Sequence, residues 1–254
     1  MSTMIRALLR NAALASAVTL LLAAPSQADP APAPDDWGTV TAGAGCVQSD
    51  AWVARSRGGQ GLADSKLFES HYPALPQAPG QQSGGLGSMD LAVGGRSLGR
   101  AAGVHSRALG TGVADAGGTA FDVERSPVGV NVGGLTAGAA TRPGESLALT
   151  SGGYRGFVAV RGRKVADIPA SWPVNYSVRI PQDPNQPAIA IVVTNEQVTT
   201  DDSGRPTLDG DRHYWFDPKA RSGYVNAIHI TYFGAGGPEE ITVAHAAVLR
   251  NCEA

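Results

Sequence analysis

Lysine is nearly missing from this chain: of 20 basic residues only Lys66, Lys164 and Lys219 are lysine, the rest being arginine. With Arg6 and Arg10 set aside, the 22 acidic residues outnumber the remaining basic ones, so the bulk of the chain is mildly acidic. That balance excludes the basic footprint that nucleic acid or an anionic membrane requires. No apolar run is long enough to span a bilayer. From Trp37 to Cys252, no window of eleven residues keeps apolar positions at i, i+3, i+4 and i+7 without an interrupting glycine or proline, so helices are not the framework. No cofactor motif is present. Cysteine occurs only twice, at Cys46 and Cys252.

What is present begins with "MSTMIRALLRNAALASAVTLLLAAPSQADP", in which Arg6 and Arg10 precede an apolar run from Ala12 to Ala24. This is the pattern of a signal peptide, residues 1–28, cleaved after Ala28. Residues 29–44 begin with "DPAPAPDD", a stiff extended spacer, and form the entry to a domain that occupies residues 45–254. No sorting motif with an apolar tail occurs before Ala254, so the expectation is a secreted protein, released or held noncovalently at the cell wall. Few lysines beside abundant Ala, Gly, Arg and Pro, all residues of GC-rich codons, point to a high-GC bacterium. A hydrophobic content of 43% is enough for one ordinary core.

Short β-type runs recur at residues 120–124, 128–135, 146–150, 156–162 and 188–194, separated by Gly, Pro, Asn and Asp clusters. They predict an all-β fold, a single antiparallel β-sandwich or barrel-like domain with long Gly/Pro-rich loops. Residues 58–90 read as a long surface excursion with one helical turn around Ala63 to Ser70. In an exported chain the even pair Cys46 and Cys252 is expected to form a disulfide tying the first strand to the last.

The stretch "SGYVNAIHITYFGAGGPEEITVAHAAVLRNC" reads as a closing hairpin. With "GAGGPEE" as the loop, Phe233 faces Ile241 and His229 lies directly opposite His245. Ile228 then pairs with Ala246, Ile230 with Ala244 and Thr231 with Val243. Opposed imidazoles about 5 Å apart at Cβ would repel if charged, and desolvation acts in the same direction, which predicts a depressed pKa for at least one of them.

Three sites of chemistry compete with that structural reading. His229 and His245 with His213 or Asp211 could ligate zinc, although the spacing matches no tight motif. Asp201, Asp202, Asp209, Asp211 and Asp217 have the composition of a calcium loop without EF-hand spacing, and Asp209-Gly210 is itself a hairpin-turn signal. Gly95-Arg96-Ser97-Leu98-Gly99 matches the nucleophile elbow, which would make Ser97 the nucleophile of a secreted serine hydrolase if it stood between a strand and a helix.

From Thr194 to Val248 the sequence resembles the exported, mostly actinobacterial choice-of-anchor P family. The resemblance rests on the Asp/Gly/Pro-rich stretch Thr200 to Asp211, on Ser222-Gly223-Tyr224-Val225-Asn226-Ala227-Ile228-His229, and on Ala244-His245-Ala246. It implies an extracellular domain of the cell envelope with no established activity, and it carries no catalytic or metal-binding residue over to this chain. The sequence therefore favours a noncatalytic interaction or structural module with an extracellular or cell-wall partner over a secreted hydrolase.

Overall fold

A computed structural model describes residues 46–59, 64–74, 79–85, 87–142, 144–208 and 216–250. In chain order its strands are β1 (Val47–Gly58), β2 (Ser65–Leu67), β3 (Ser70–Tyr72), β4 (Gln81–Ser83), β5 (Ser88–Val93), β6 (Arg96–Ala102), β7 (His105–Leu109) and β8 (Val113–Arg125). They continue as β9 (Val128–Ala140), β10 (Ala148–Val160), β11 (Arg163–Ile168), β12 (Tyr176–Ile180), β13 (Ala190–Thr200), β14 (Ser222–Gly234) and β15 (Gly237–Arg250). The fold is all-β. Two antiparallel sheets pack face to face without closing, so it is a sandwich rather than a barrel. One sheet has the order β12-β13-β14-β15-β1-β2, with β3 also paired to β1. The other runs β11-β10-β9-β8-β6-β5, with β7 on β8 and β4 on β7.

The inner faces are lined by small and β-branched residues at alternate positions, such as Val128, Val130 and Val132 on β9 and Ile241 and Val243 on β15, all almost fully buried. This is the period-2 pattern expected where one face of each sheet meets the other. At one end of the sandwich Arg125 donates through Nε to Glu239 at 2.8 Å, joining the sheets across a nearly buried carboxylate. No helix long and apolar enough to cross a membrane occurs among the described residues.

The structure departs from the sequence reading in two places. The helical turn expected around Ala63 to Ser70 is replaced, over its described part, by β2 and β3. Ser70 pairs with Ala51 and His71 with Asp50, and Leu67 pairs with Ala54, because the free edge of β1 accepts short strands more readily than a helix. The hairpin loop is also shorter than expected. Only Ala235 and Gly236 connect Gly234 to Gly237, and Pro238 lies inside β15 opposite Phe233. Proline is tolerated there because the Phe233 amide donates to Ile189 instead, so β14 asks for no hydrogen bond from residue 238.

The first and last strands are neighbours, paired from Val47↔Arg250 to Gly58↔Glu239. Cys46 is exposed directly before β1. Cys252, like Trp37, His213, Asp209 and Asp211, lies outside the described residues.

Candidate functional site

The two histidines of the closing hairpin are not opposed. His229 pairs with Thr242 and His245 with Asn226, so each partner is displaced by three residues from the expected register. Yet both rings still share the outward face of the seven-stranded sheet, and a break in the pleat explains how. The regular pairing skips one position on each of four adjacent strands, at Asn195, Ala227, Ala244 and Val53. Asn195 and Ala244 take left-handed φ values of 51°. Inward residues change parity across this row, with Val225 and Ala227 before it and Ile228 and Ile230 after it all in the core. Residues 226 and 229, which ordinary alternation would set on opposite faces, therefore end on the same one.

On that face Glu196 collects the polar groups. The Nδ1 of His229 lies 3.1 Å from both Glu196 oxygens, and Asn226 Nδ2 donates to Oε2 at 2.6 Å. His245 Nδ1 is 2.6 Å from Asn226 Oδ1. Since the Asn226 amide donates to the carboxylate, its oxygen must accept, so His245 carries the proton on Nδ1. Trp52 stacks on His245 with ring centroids 3.5 Å apart and an interplanar angle of 6°, and its Nε1 donates to Thr242 Oγ1 at 3.1 Å. The Lys66 ammonium lies 4.6 Å from the Trp52 ring centroid. His229 is 0% exposed, Asn226 0%, His245 2% and Glu196 3%.

Burial acts on both imidazoles, and their neighbours decide the outcome. For His229 desolvation alone would depress the pKa, but the charge and hydrogen bond of Glu196, with a smaller contribution from Glu240, raise it above the ordinary value. For His245 desolvation comes first, and the cations Lys66 and Arg55 add to it, so its pKa falls well below the ordinary value. The expected depression occurs on one ring only; burial is its largest cause, as expected, and the added repulsion comes from Lys66 and Arg55 instead of from the second histidine.

The linkage sign follows for His245. Its depressed folded pKa means that the unfolded chain binds more protons, so its contribution is present above the unfolded pKa and lost as pH falls below it. His229 acts oppositely, stabilising fully below the unfolded pKa and less as pH rises through its folded value. Urea unfolding of His245→Gln should therefore show a shallower loss of stability between pH 6.5 and pH 5 than wild type. The difference should approach about 1.4 kcal/mol per pH unit. Parallel curves would show that His245 does not titrate in this way.

With Nδ1 engaged on each ring, both Nε2 atoms are buried and without a hydrogen-bond partner. A histidine oriented by a carboxylate is the arrangement of a metal ligand or general base. Among the described residues no group of three or more His, Cys, Asp and Glu residues is placed to hold a metal ion, and both Nε2 atoms are closed off from solvent. Of the acidic segment, Asp201 accepts from the Ser203 and Arg205 amides at 2.8 and 2.9 Å, and Asp217 from the Lys219 amide at 2.8 Å. These carboxylates hold their own turns, as Asx residues do.

Ser97 stands on neither side of a helix. Val93 pairs with Arg96 across Gly94 and Gly95, whose φ values of 59° and 76° make the tight two-residue turn between β5 and β6. Gly99 has φ 114°, and a Cβ there would lie 1.9 Å from the Asp122 carbonyl oxygen. Hairpin geometry accounts for the glycines of the elbow-like motif.

Glu196 and Asn226, which organise the site, belong to no local motif of the sequence. The available signal was a lone carboxylate inside the apolar run "AIVVTNEQVTT", because a buried charge demands a partner. Comparisons with protein families, with curated proteins and with solved structures give no match to this chain, and the site rests on its own geometry.

Proposed function

We propose that this protein is an exported, noncatalytic β-sandwich of the choice-of-anchor P type, acting as an interaction or structural module at the cell envelope. The observation that carries this reading is the fate of its most reactive groups. His229, His245, Asn226 and Glu196 bind one another within a sealed sheet face, where they specify a fold more readily than they meet a substrate. The signal-peptide pattern of residues 1–28 and the mildly acidic composition support an extracellular setting.

Fractionation of a producing culture into cytoplasm, medium, wall and membrane tests the reading. The expected result is a chain beginning at Asp29 in the medium or wall fraction, retained by protein or glycan components that salt or denaturant releases. An unprocessed chain confined to the cytoplasm would refute it. The hydrolase alternative has its own test: Ser97→Ala should leave stability and any measured ester hydrolysis at wild-type values, and loss of hydrolysis in that variant would replace this reading with the enzymatic one.

A further inference from the structure

The sandwich is open along one side, where β12 ends one sheet and β11 ends the other. There the two sheets leave an unfilled cleft of about 730 Å³ between Val160, Val165, Ile180, Pro181, Pro187 and Ile189. This lies within the range of small-molecule pockets, and the lining is predominantly aliphatic.

Two devices hold the cleft open. The first is a bulge. Pairing of β10 with β11 slips between Val158 and Ala159, leaving Val165 as the unpaired extra residue, and such a residue is re-aimed out of the regular alternation. Val165 is 40% exposed and lines the cleft. The second is the loop that follows β12. Arg179 Nη1 donates to the carbonyls of Pro181 at 2.7 Å and Asp183 at 2.8 Å, and Nη2 donates to that of Gln186. The Asp183 carboxylate in turn accepts from the Asn185 amide at 2.9 Å and from Gln186 Nε2 at 3.1 Å. A loop fixed by so many internal bonds does not fold inward to fill the space, so the cleft is preorganised.

The turn from β10 to β11 beside it is basic. Arg161 and Arg163 flank Gly162 in the turn from β10 to β11, next to the lining residues Val160 and Val165, and both are exposed. Among the described residues neither forms an ion pair, whereas the neighbouring Lys164 is engaged by Asp167 at 2.9 Å. An apolar slot whose lining residues Val160 and Val165 adjoin a turn carrying two guanidinium groups without an ion pair matches a molecule with an aliphatic chain and an anionic head.

We infer that this cleft binds a single-chain anionic amphiphile, with its aliphatic chain between Val165, Ile180 and Ile189 and its headgroup on Arg161 and Arg163. The inference goes beyond the interaction-module reading and does not depend on it. Calorimetric titration of the mature protein with dodecanoate, below the micelle concentration, tests it, with dodecanol as the uncharged comparison.

Saturable binding of one dodecanoate per chain is expected, about tenfold weaker in Val165→Asp. An Arg161→Ala/Arg163→Ala variant should weaken dodecanoate by a similar factor and leave dodecanol unchanged. Both variants alter exposed side chains, and unchanged melting curves will show that the fold is intact. Absence of saturable binding, or binding indifferent to Val165→Asp, would overturn the proposal. So would binding to phosphatidylglycerol vesicles without binding to monomeric dodecanoate, which would make the same corner a membrane-docking surface.

Discussion

Replacing Glu196 by alanine should cost this protein about 3 to 5 kcal/mol of stability at a pH where His229 is protonated, because it removes one member of a buried ion pair and the imidazole must then give up its proton or stay charged without a partner. The carboxylate side chain is 4% exposed and its partner His229 is 0% exposed, so water does not take over the lost contacts. Asn226 Nδ2 loses its acceptor at the same time, and a buried donor left unpaired is costly in its own right. Glu196→Gln is the sharper experiment. It keeps the shape and an acceptor oxygen but removes the charge, so desolvation, opposed only by the smaller contribution of Glu240, then governs His229. Its pKa should move from above the ordinary histidine value to below it. In wild type the His229 contribution is present below the unfolded pKa and lost as pH rises; in Glu196→Gln it should be lost as pH falls instead. Urea unfolding across pH 5 to 8, with the imidazole proton resonances followed in parallel, reads both effects. A Glu196→Ala variant within about 0.5 kcal/mol of wild type would mean that the network is not a stabilising element.

The sheets of this sandwich were legible in the sequence because their strands alternate: the runs at 120–124 and 128–135 fall inside β8 and β9, and the run at 188–194 starts two residues before β13 and continues into it. The runs at 146–150 and 156–162 look separate in the sequence, yet each overlaps one end of β10, which crosses Gly152 and Gly153 without stopping. Gly153 is required there: a Cβ would lie 2.5 Å from the Trp172 ring. The register of β14 against β15 escaped for a different reason. Pattern reading assumes that Pro238 ends a strand and that alternation is uninterrupted, and the Phe233 amide, Asn195 and Ala244 set both assumptions aside. That the histidines share a face was correctly anticipated, but by a register that does not exist. What joins them is Glu196 and Asn226, whose role depends on three strands meeting at one row, a long-range fact that no local window holds.

Reduction of the bridge predicted between Cys46 and Cys252 should lower stability by about 2 to 4 kcal/mol, the second large effect. The topology is favourable. β1 and β15 are adjacent and antiparallel, and their last pair, Val47↔Arg250, lies one residue from Cys46 and two from Cys252. The native sheet pairs Val47 with Arg250, so the bridge would join segments that the fold already makes neighbours. The unfolded chain bears the constraint: closing a loop of about 200 residues restricts it by about 5 kcal/mol on the chain-entropy estimate, and measured bridges usually deliver less. Peptide mapping of the nonreduced protein should yield a Cys46–Cys252 linked peptide, and urea unfolding with and without reductant should separate by the stated amount. Cys252→Ser should reproduce the reduced midpoint and become insensitive to reductant, which distinguishes loss of the bridge from other effects of the reagent. Two thiols open to alkylation in native secreted material would refute the bridge. If the linked peptide is found and reduction changes nothing, the eleven paired positions between β1 and β15 already suffice to hold the ends of the domain.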